Sequence, residues 1–255
     1  MRNETQRMEI PLAVINVGKD AKKVFTIAKE GGIAIGPVDT GYSILGGCAG
    51  AVRKINQTKG RGGHKRNAML GSMDIHREVH ILDRRKMDMI EAITQDFDLP
   101  VAVIAPYRED HPLIRGLDEE MLKTSTALGN VCMLLNAGSF LGELAKLSLE
   151  ASHPILGSSA NLTGTGTKWR VEDIQPEITA IADVIVDYGV RKYYPYRRAG
   201  TLINFETMEV MRIGVCYDSI AGVLRRHFQV DLPPDPGIDA LPSGHLDEFA
   251  LADVS

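Results

Sequence analysis

The chain has 255 residues, 44% of them hydrophobic and 24% charged, with a formal net charge of −4, which suits one water-soluble globular domain with a substantial core. No apolar run approaches membrane-spanning length and the opening MRNETQRMEI lacks a signal peptide's apolar centre, so a cytoplasmic protein with no membrane partner is expected. Cys48, Cys132 and Cys216 lie far apart and the seven histidines form no HExxH-type pair, which argues against a disulfide framework and a protein-bound catalytic metal.

Asp20 is expected to cap a helix through Ala21, Val24, Phe25 and Ala28 that stops at Gly31-Gly32. Ile33 to Ile35 reads as a buried strand that ends in Gly36-Pro37 and opens into a polar turn from Asp39 to Ser43. A short helix from Ala51 to Gln57 then leads to Lys59-Gly60-Arg61. On an extended backbone those two cations point the same way and suit a polyphosphate, although the pair alone reads better as solvated surface. Met69 to Leu82 is expected to be strand or loop feeding a helix from Arg84 to Thr94. Val101 to Ala105 and Val131 to Leu135 read as buried strands, the first followed by a Pro/Asp-rich loop to Leu113.

Phe140 to Glu150 reads as a helix and Ile155-Leu156 as a strand delivering Gly157-Ser158-Ser159-Ala160-Asn161. Small hydroxyl and amide side chains there can bond phosphate or carboxylate oxygens without filling a cavity. Thr163 to Thr167 is either a linker or a phosphate loop, and it has no Walker-type lysine. Val171 to Ile181 is expected to be helical, Val184 to Val186 a strand, and Thr201 to Phe205 with Val210 to Ile213 a hairpin. The alternation predicts a single α/β domain over residues 8–228, with a twisted mixed or parallel sheet covered by helices.

The segment RKYYPYRR, residues 191–198, packs four cations around three tyrosines. It reads either as a surface for stacking bases and holding phosphates, as in RNA, or as an ordinary loop. Residues 229–255 carry six acidic residues with no Lys or Arg and are rich in Pro, so a disordered tail is expected, with local docking of Phe249-Ala250-Leu251 as the alternative.

Three motifs in order resemble the YrdC/Sua5 family of threonylcarbamoyl-adenylate synthases. Pro37-Val38-Asp39-Thr40-Gly41-Tyr42 is similar to its Pro-Thr-Asp-Thr-Val-Tyr turn, Lys59-Gly60-Arg61 to its Lys-x-Arg, and Ser159-Ala160-Asn161 to its Ser-x-Asn. The likeness continues through Thr201-Leu202-Ile203-Asn204 to Arg212-Ile213-Gly214, over roughly residues 10–215. It implies that bicarbonate and L-threonine form a carbamate that attacks the α-phosphate of ATP, giving threonylcarbamoyl-AMP, for the t6A modification of tRNA, and pyrophosphate. On that basis Lys59 and Arg61 neutralise phosphate charge with Mg²⁺ carried by ATP; Ser159 and Asn161 bind phosphate or carboxylate oxygens; Thr40 and Tyr42 line the amino-acid end; and Thr201 and Arg212 complete the ligand-binding set.

The chain departs from the family's pattern where Leu134 replaces an arginine, Asp96 to Ala102 a Trp-Pro-Gly-Pro-Leu-Thr run, Gly200 a serine, and Asn67 to Gly71 a histidine-bearing segment. These departures leave open a relative that activates another carbamate or carboxylate in a biosynthetic pathway, or a non-catalytic RNA-binding or regulatory module.

Overall fold

The computed structural model describes residues 7–8 as backbone, and residues 15–63 and 65–246 in full. The described residues form one mixed sheet of eleven strands in the order β1-β9-β2-β3-β8-β4-β7-β5-β10-β11, with β6 paired to β7. The strands are β1 Arg7–Met8, β2 Ile33–Val38, β3 Gly41–Gly46, β4 Ala68–Leu70, β5 Val101–Pro106, β6 Thr126–Ala127, β7 Asn130–Leu135, β8 Leu156–Ser159, β9 Val184–Val186, β10 Leu202–Asn204 and β11 Glu209–Arg212. Pairs β2/β9, β4/β7 and β5/β10 run parallel, while β2/β3, β3/β8, β4/β8 and β5/β7 run antiparallel. The expected helix-covered α/β fold is thereby borne out.

Burial separates the two faces of this sheet. Helices α1 Val17–Lys29 and α7 Ser139–Glu150 cover part of one face, where Val24, Phe25, Phe140 and Leu144 pack on Ala34, Val38, Leu45 and Leu70. On the opposite face lie α2 Ala49–Thr58, α3 Met73–Val79, α4 Arg84–Glu91, α6 Glu119–Ser125 and α9 Tyr217–Phe228, over Ile35, Ile44, Val103, Met133 and Ile203. Two short helices, α5 Pro112–Arg115 and α8 Pro176–Thr179, begin with proline at the first turn, where the missing N–H costs nothing. With helices on both sides, β2 is buried at every position, which is why its sequence is continuously apolar instead of alternating.

Several expectations are corrected. The cap of α1 is Asn16, which accepts from Lys19 N, whereas Asp20 is buried and accepts a 2.7 Å hydrogen bond from Tyr188. Met73–Val79 is helical, capped by Ser72, and residues 171–181 are a short 3-10 turn followed by α8 instead of one helix. The buried His76 of α3 and His80, which caps its C-terminus, bring their Nδ1 atoms within 2.7 Å, and burial depresses them to about 4 and about 3.

The acidic segment after α9 is also corrected, because residues 229–246 lie against the body. Leu241 is 2% exposed, and Val230, Leu232 and Leu246 pack against the core. Arg198, itself buried, pairs with Asp235 at 2.6 Å and donates to Leu241 O at 2.9 Å. Tyr217 donates to Pro233 O, and Gly244 O accepts from Ile213 N at 2.7 Å. Phe249-Ala250-Leu251 lies outside the described residues. Among the described residues no helix is long and apolar enough to cross a membrane.

Candidate active site

Beyond the reach of α1 and α7, the face they cover opens into a cleft floored by the sheet. Register and alternation put Ser43, Ser159, Ala68, Cys132 and Leu134 on that face, all half-buried, with Ile104, Leu202 and Arg212 beyond them. Met133, Ile44 and Ile203 point the other way, into the core.

The Lys59-Gly60-Arg61 segment is a helix end, not the extended run anticipated. Lys59 is the C-cap of α2; Gly60 turns left-handed at φ +60°, and the amides of Gly60 and Arg61 return to Gln57 O and Asn56 O. This glycine-terminated cap satisfies the carbonyls at the end of α2 and turns the two cations in different directions. Lys59, 3% exposed, donates to Ser159 O and, at 2.5 Å, to Asn161 O, so it grips the backbone at the end of β8. Burial, then repulsion by Arg61 and Lys65, pushes it down to about 7. Arg61 donates to Lys65 O and Arg66 O, and burial with the neighbouring Arg212 pushes it down to about 10.

Arg212 stands on β11 and donates from Nε to Gly200 O at 2.8 Å. Cys132, on the floor, feels both guanidiniums; burial raises its thiol to about 11 while Arg212 and Arg61 oppose the rise. Thus Lys59, Arg61 and Arg212, distant in sequence, collect positive charge at one end of a serine-lined floor. Ser159 faces this cleft, and Asn161 is buried with Oδ1 lacking a hydrogen-bond partner. An unmet acceptor beside Lys59 is the kind of group a polar ligand or water satisfies.

The turn joining β2 to β3 lies against Gly200, the residue whose carbonyl Arg212 bonds. Asp39 is clamped: its amide donates to Ala137 O, its carbonyl accepts from Tyr193 N, and its carboxylate meets Arg191 at 3.2 Å and Lys192 at 3.9 Å. Gly138, at φ +102°, leaves room for that carboxylate, since an added Cβ would lie 2.6 Å from Oδ1. Thr40 is buried on the next residue, its methyl turned toward Gly200.

Two of the anticipated ligand-binding side chains are occupied elsewhere. Tyr42 is fully buried on the core-facing side of β3; its hydroxyl lies 2.9 Å from Asp187 Oδ1 and Gly189 O and accepts from Tyr188 N, and burial raises its pKa. Thr201 is also fully buried, donating to Val215 O at 2.8 Å and accepting from Gly214 N. Ser43, which the sequence reading left out, faces the cleft opposite Ser159; strand alternation from Tyr42 is the signal that locates it. The RKYYPYRR segment is not a free cationic strip either, because Arg191 is held by Asp39 and Arg198 by Asp235. Among the described residues no group of three or more His, Cys, Asp or Glu is placed to hold a metal ion.

The family model described as telomere recombination, for Sua5, YciO and YrdC, matches residues 26–214. The chain belongs to the Sua5/YciO/YrdC family. No curated protein matches it. Among solved structures, the hypothetical protein smu.1377c of Streptococcus mutans UA159 aligns with a TM-score of 0.72 at 20% identity, covering 89% of this chain and 96% of that one. P. abyssi Sua5 complexed with L-threonine aligns at 0.65 and 17% identity over 89% of this chain and 61% of its own. E. coli YciO aligns at 0.59 and 18% identity over 82% and 93%. At these identities the structural likeness establishes the Sua5/YciO/YrdC fold, and the three motifs named above fall within the matched span.

Proposed function

We propose that this chain is an ATP-dependent, adenylate-forming enzyme of the threonylcarbamoyl-AMP synthase type, taking ATP with its Mg²⁺, bicarbonate and a small amine or amino acid. The observation that carries the reading is the convergence of Lys59, Arg61 and Arg212 on one end of the open, serine-lined sheet face. The Sua5 structure with L-threonine and the HypF structure in a phosphate- and nucleotide-bound form support an amino-acid and nucleotide pairing for this fold.

The amine nitrogen bonds the bicarbonate carbon with loss of water. An oxygen of the resulting carbamate attacks the α-phosphorus, and the bond to the bridging oxygen breaks, so that pyrophosphate departs with the electron pair. Such chemistry needs positioning and charge neutralisation and no protein nucleophile. Arg61 and Arg212 offer guanidinium N–H groups to the phosphates, while Lys59 holds Ser159 and Asn161 in place through their carbonyls and adds its charge behind them. Pyrophosphate release with ATP, bicarbonate and a panel of amines tests the assignment. Arg61→Ala and Arg212→Ala should each lower turnover about 10²- to 10³-fold, the usual loss for one charge-stabilising donor. Unchanged turnover in the double variant overturns it.

A further inference from the structure

The loop from Thr163 to Lys168 spans the end of the β3/β8 ladder where Ser43 stands opposite Ser159. It leaves β8 just past Asn161. There its stem is fixed, because Thr163 N donates to Lys59 O at 2.9 Å while Lys59 Nζ holds the carbonyls of Ser159 and Asn161. It returns at β3, where Lys168 O accepts from Tyr42 N at 2.8 Å and Thr167 packs over Gly41. Gln175 pins the middle, donating to Thr165 Oγ1 at 2.7 Å and accepting from Leu162 N at 3.3 Å. Between those ties Gly164 (φ +84°) and Gly166 (φ +74°) are left-handed and alternate with threonines that are not, an order that turns successive amides toward one side and makes an anion-binding concavity. The amides of Gly164, Gly166 and Thr167 donate to no group among the described residues, and the space beside both glycines is open. At the stem Asn161, 6% exposed, keeps Oδ1 without a partner.

Resting on the adenylate-forming reading, we infer that this loop seats the β- and γ-phosphates of ATP, and hence the departing pyrophosphate, with the hydroxyls of Ser43 and Ser159 beside it. When the bond between the α-phosphorus and the bridging oxygen breaks, the electron pair and its charge go to the β-phosphate. Backbone amides held in place beforehand stabilise that charge without reorganising, and a loop tied at both stems and by Gln175 is held in this way. Lys168, whose Nζ donates to Thr165 O at 2.9 Å, adds a cation to the loop, and Asn161 Oδ1 accepts from a water carried with the anion. Gln175 acts through Thr165 and Leu162, so it is a positioning residue.

Calorimetry of the full chain with ATP, AMP and inorganic pyrophosphate, each with Mg²⁺, tests this beside the pyrophosphate-release assay. The unaltered protein should bind ATP at least about tenfold more tightly than AMP. Gly164→Ala combined with Gly166→Ala sets methyls in open space but strains the left-handed backbone, so it should weaken ATP and pyrophosphate about tenfold and leave AMP unchanged. Gln175→Leu keeps both glycines and should weaken the same two ligands by a smaller factor, again without touching AMP. Gly237→Ala, at another left-handed glycine with open space, controls for backbone strain and should leave all three affinities alone. ATP bound no more tightly than AMP, ATP and pyrophosphate bound undiminished by the glycine and Gln175 variants, or AMP weakened to the same extent overturns the inference, while amine-dependent pyrophosphate release by the unaltered protein keeps the adenylate reading standing. Absence of both ATP binding and pyrophosphate release in the unaltered protein overturns the adenylate reading and the inference with it.

Discussion

A chain ending at Phe228 should melt well below one ending at Leu246. The deleted segment carries Leu241, almost fully buried, whose burial is worth about 1.5–3 kcal/mol. It also carries Asp235, whose charge-assisted bond to Arg198 at 2.6 Å contributes about 1.5–3 kcal/mol. Deletion opens Arg198 to water, so the larger penalty of a stranded buried cation does not apply. The two contributions amount to about 3–6 kcal/mol, and at about 2–4 °C per kcal/mol for a chain of this size the transition should fall by about 6–24 °C. Differential scanning calorimetry of both truncations measures this, and ending the longer one at Leu246 keeps the last nine residues out of the comparison. Leu241→Ala and Asp235→Ala in the full chain should each reproduce part of the drop. Transitions within about 2 °C of each other, against that expected fall, would refute the docking argument.

Arg61→Ala and Arg212→Ala should abolish most pyrophosphate release; each also gives up side-chain bonds to backbone carbonyls, so the melting temperature should fall modestly, and a fall as large as that of the truncation would recast them as structural. Nucleotide binding should take up a proton above neutral pH: burial holds Lys59 near 7, and a bound polyphosphate raises it again, so affinity falls as pH rises from 7 toward the ordinary lysine range. Calorimetry in two buffers of different ionisation enthalpy detects the uptake, and Lys59→Met should remove it; equal uptake in that variant would exclude Lys59 as its source. His76 and His80 are held below their ordinary value, so below about pH 6.5 the unfolded chain binds more protons and stability falls with pH down to about 4 and 3. His80→Phe should flatten part of that fall in urea midpoints between pH 7 and 4.5, and an unaltered slope would show that the pair is not the sensor.

The strands were legible where burial is two-sided. Ile33–Val38 and Val184–Val186 announce themselves as apolar runs because water is excluded from both of their faces. Helix starts were harder. Asp20 has the chemistry of a cap, yet its carboxylate is used by Tyr188 across the fold, and no local pattern reveals a partner 168 residues away. Helix α9 went unread because its first residue follows Cys216, in a left-handed conformation with no side-chain cap. The segment after it has the composition of a disordered tail, but a few anchors suffice to hold it, and composition does not register Leu241 or the Asp235 pair individually. At the site, the motifs gathered the right neighbourhood without telling which hydroxyls are free. Tyr42 and Thr201 look like ligand groups in sequence and are consumed internally, whereas Ser43 looks incidental and faces the cleft. Arg61 and Arg212 meet only through the sheet, which brings β11 beside β10 and places the loop after α2 near Cys132.

The left-handed cap at Gly60 ties the cationic pair to the screw of α2 instead of to a loop. Ala51, Val52 and Ile55 seat that helix on the sheet and thereby set the angle at which Lys59 leaves it. One alanine inserted between Ile55 and Lys59 would advance the cap by about 1.5 Å and swing it by about 100°. Lys59 would then lose the carbonyls of Ser159 and Asn161 while the apolar stripe stayed in register. The candidate site is in this sense phased to a helix, and evolution can retune it by substitution at its rim far more readily than by changing the length of α2.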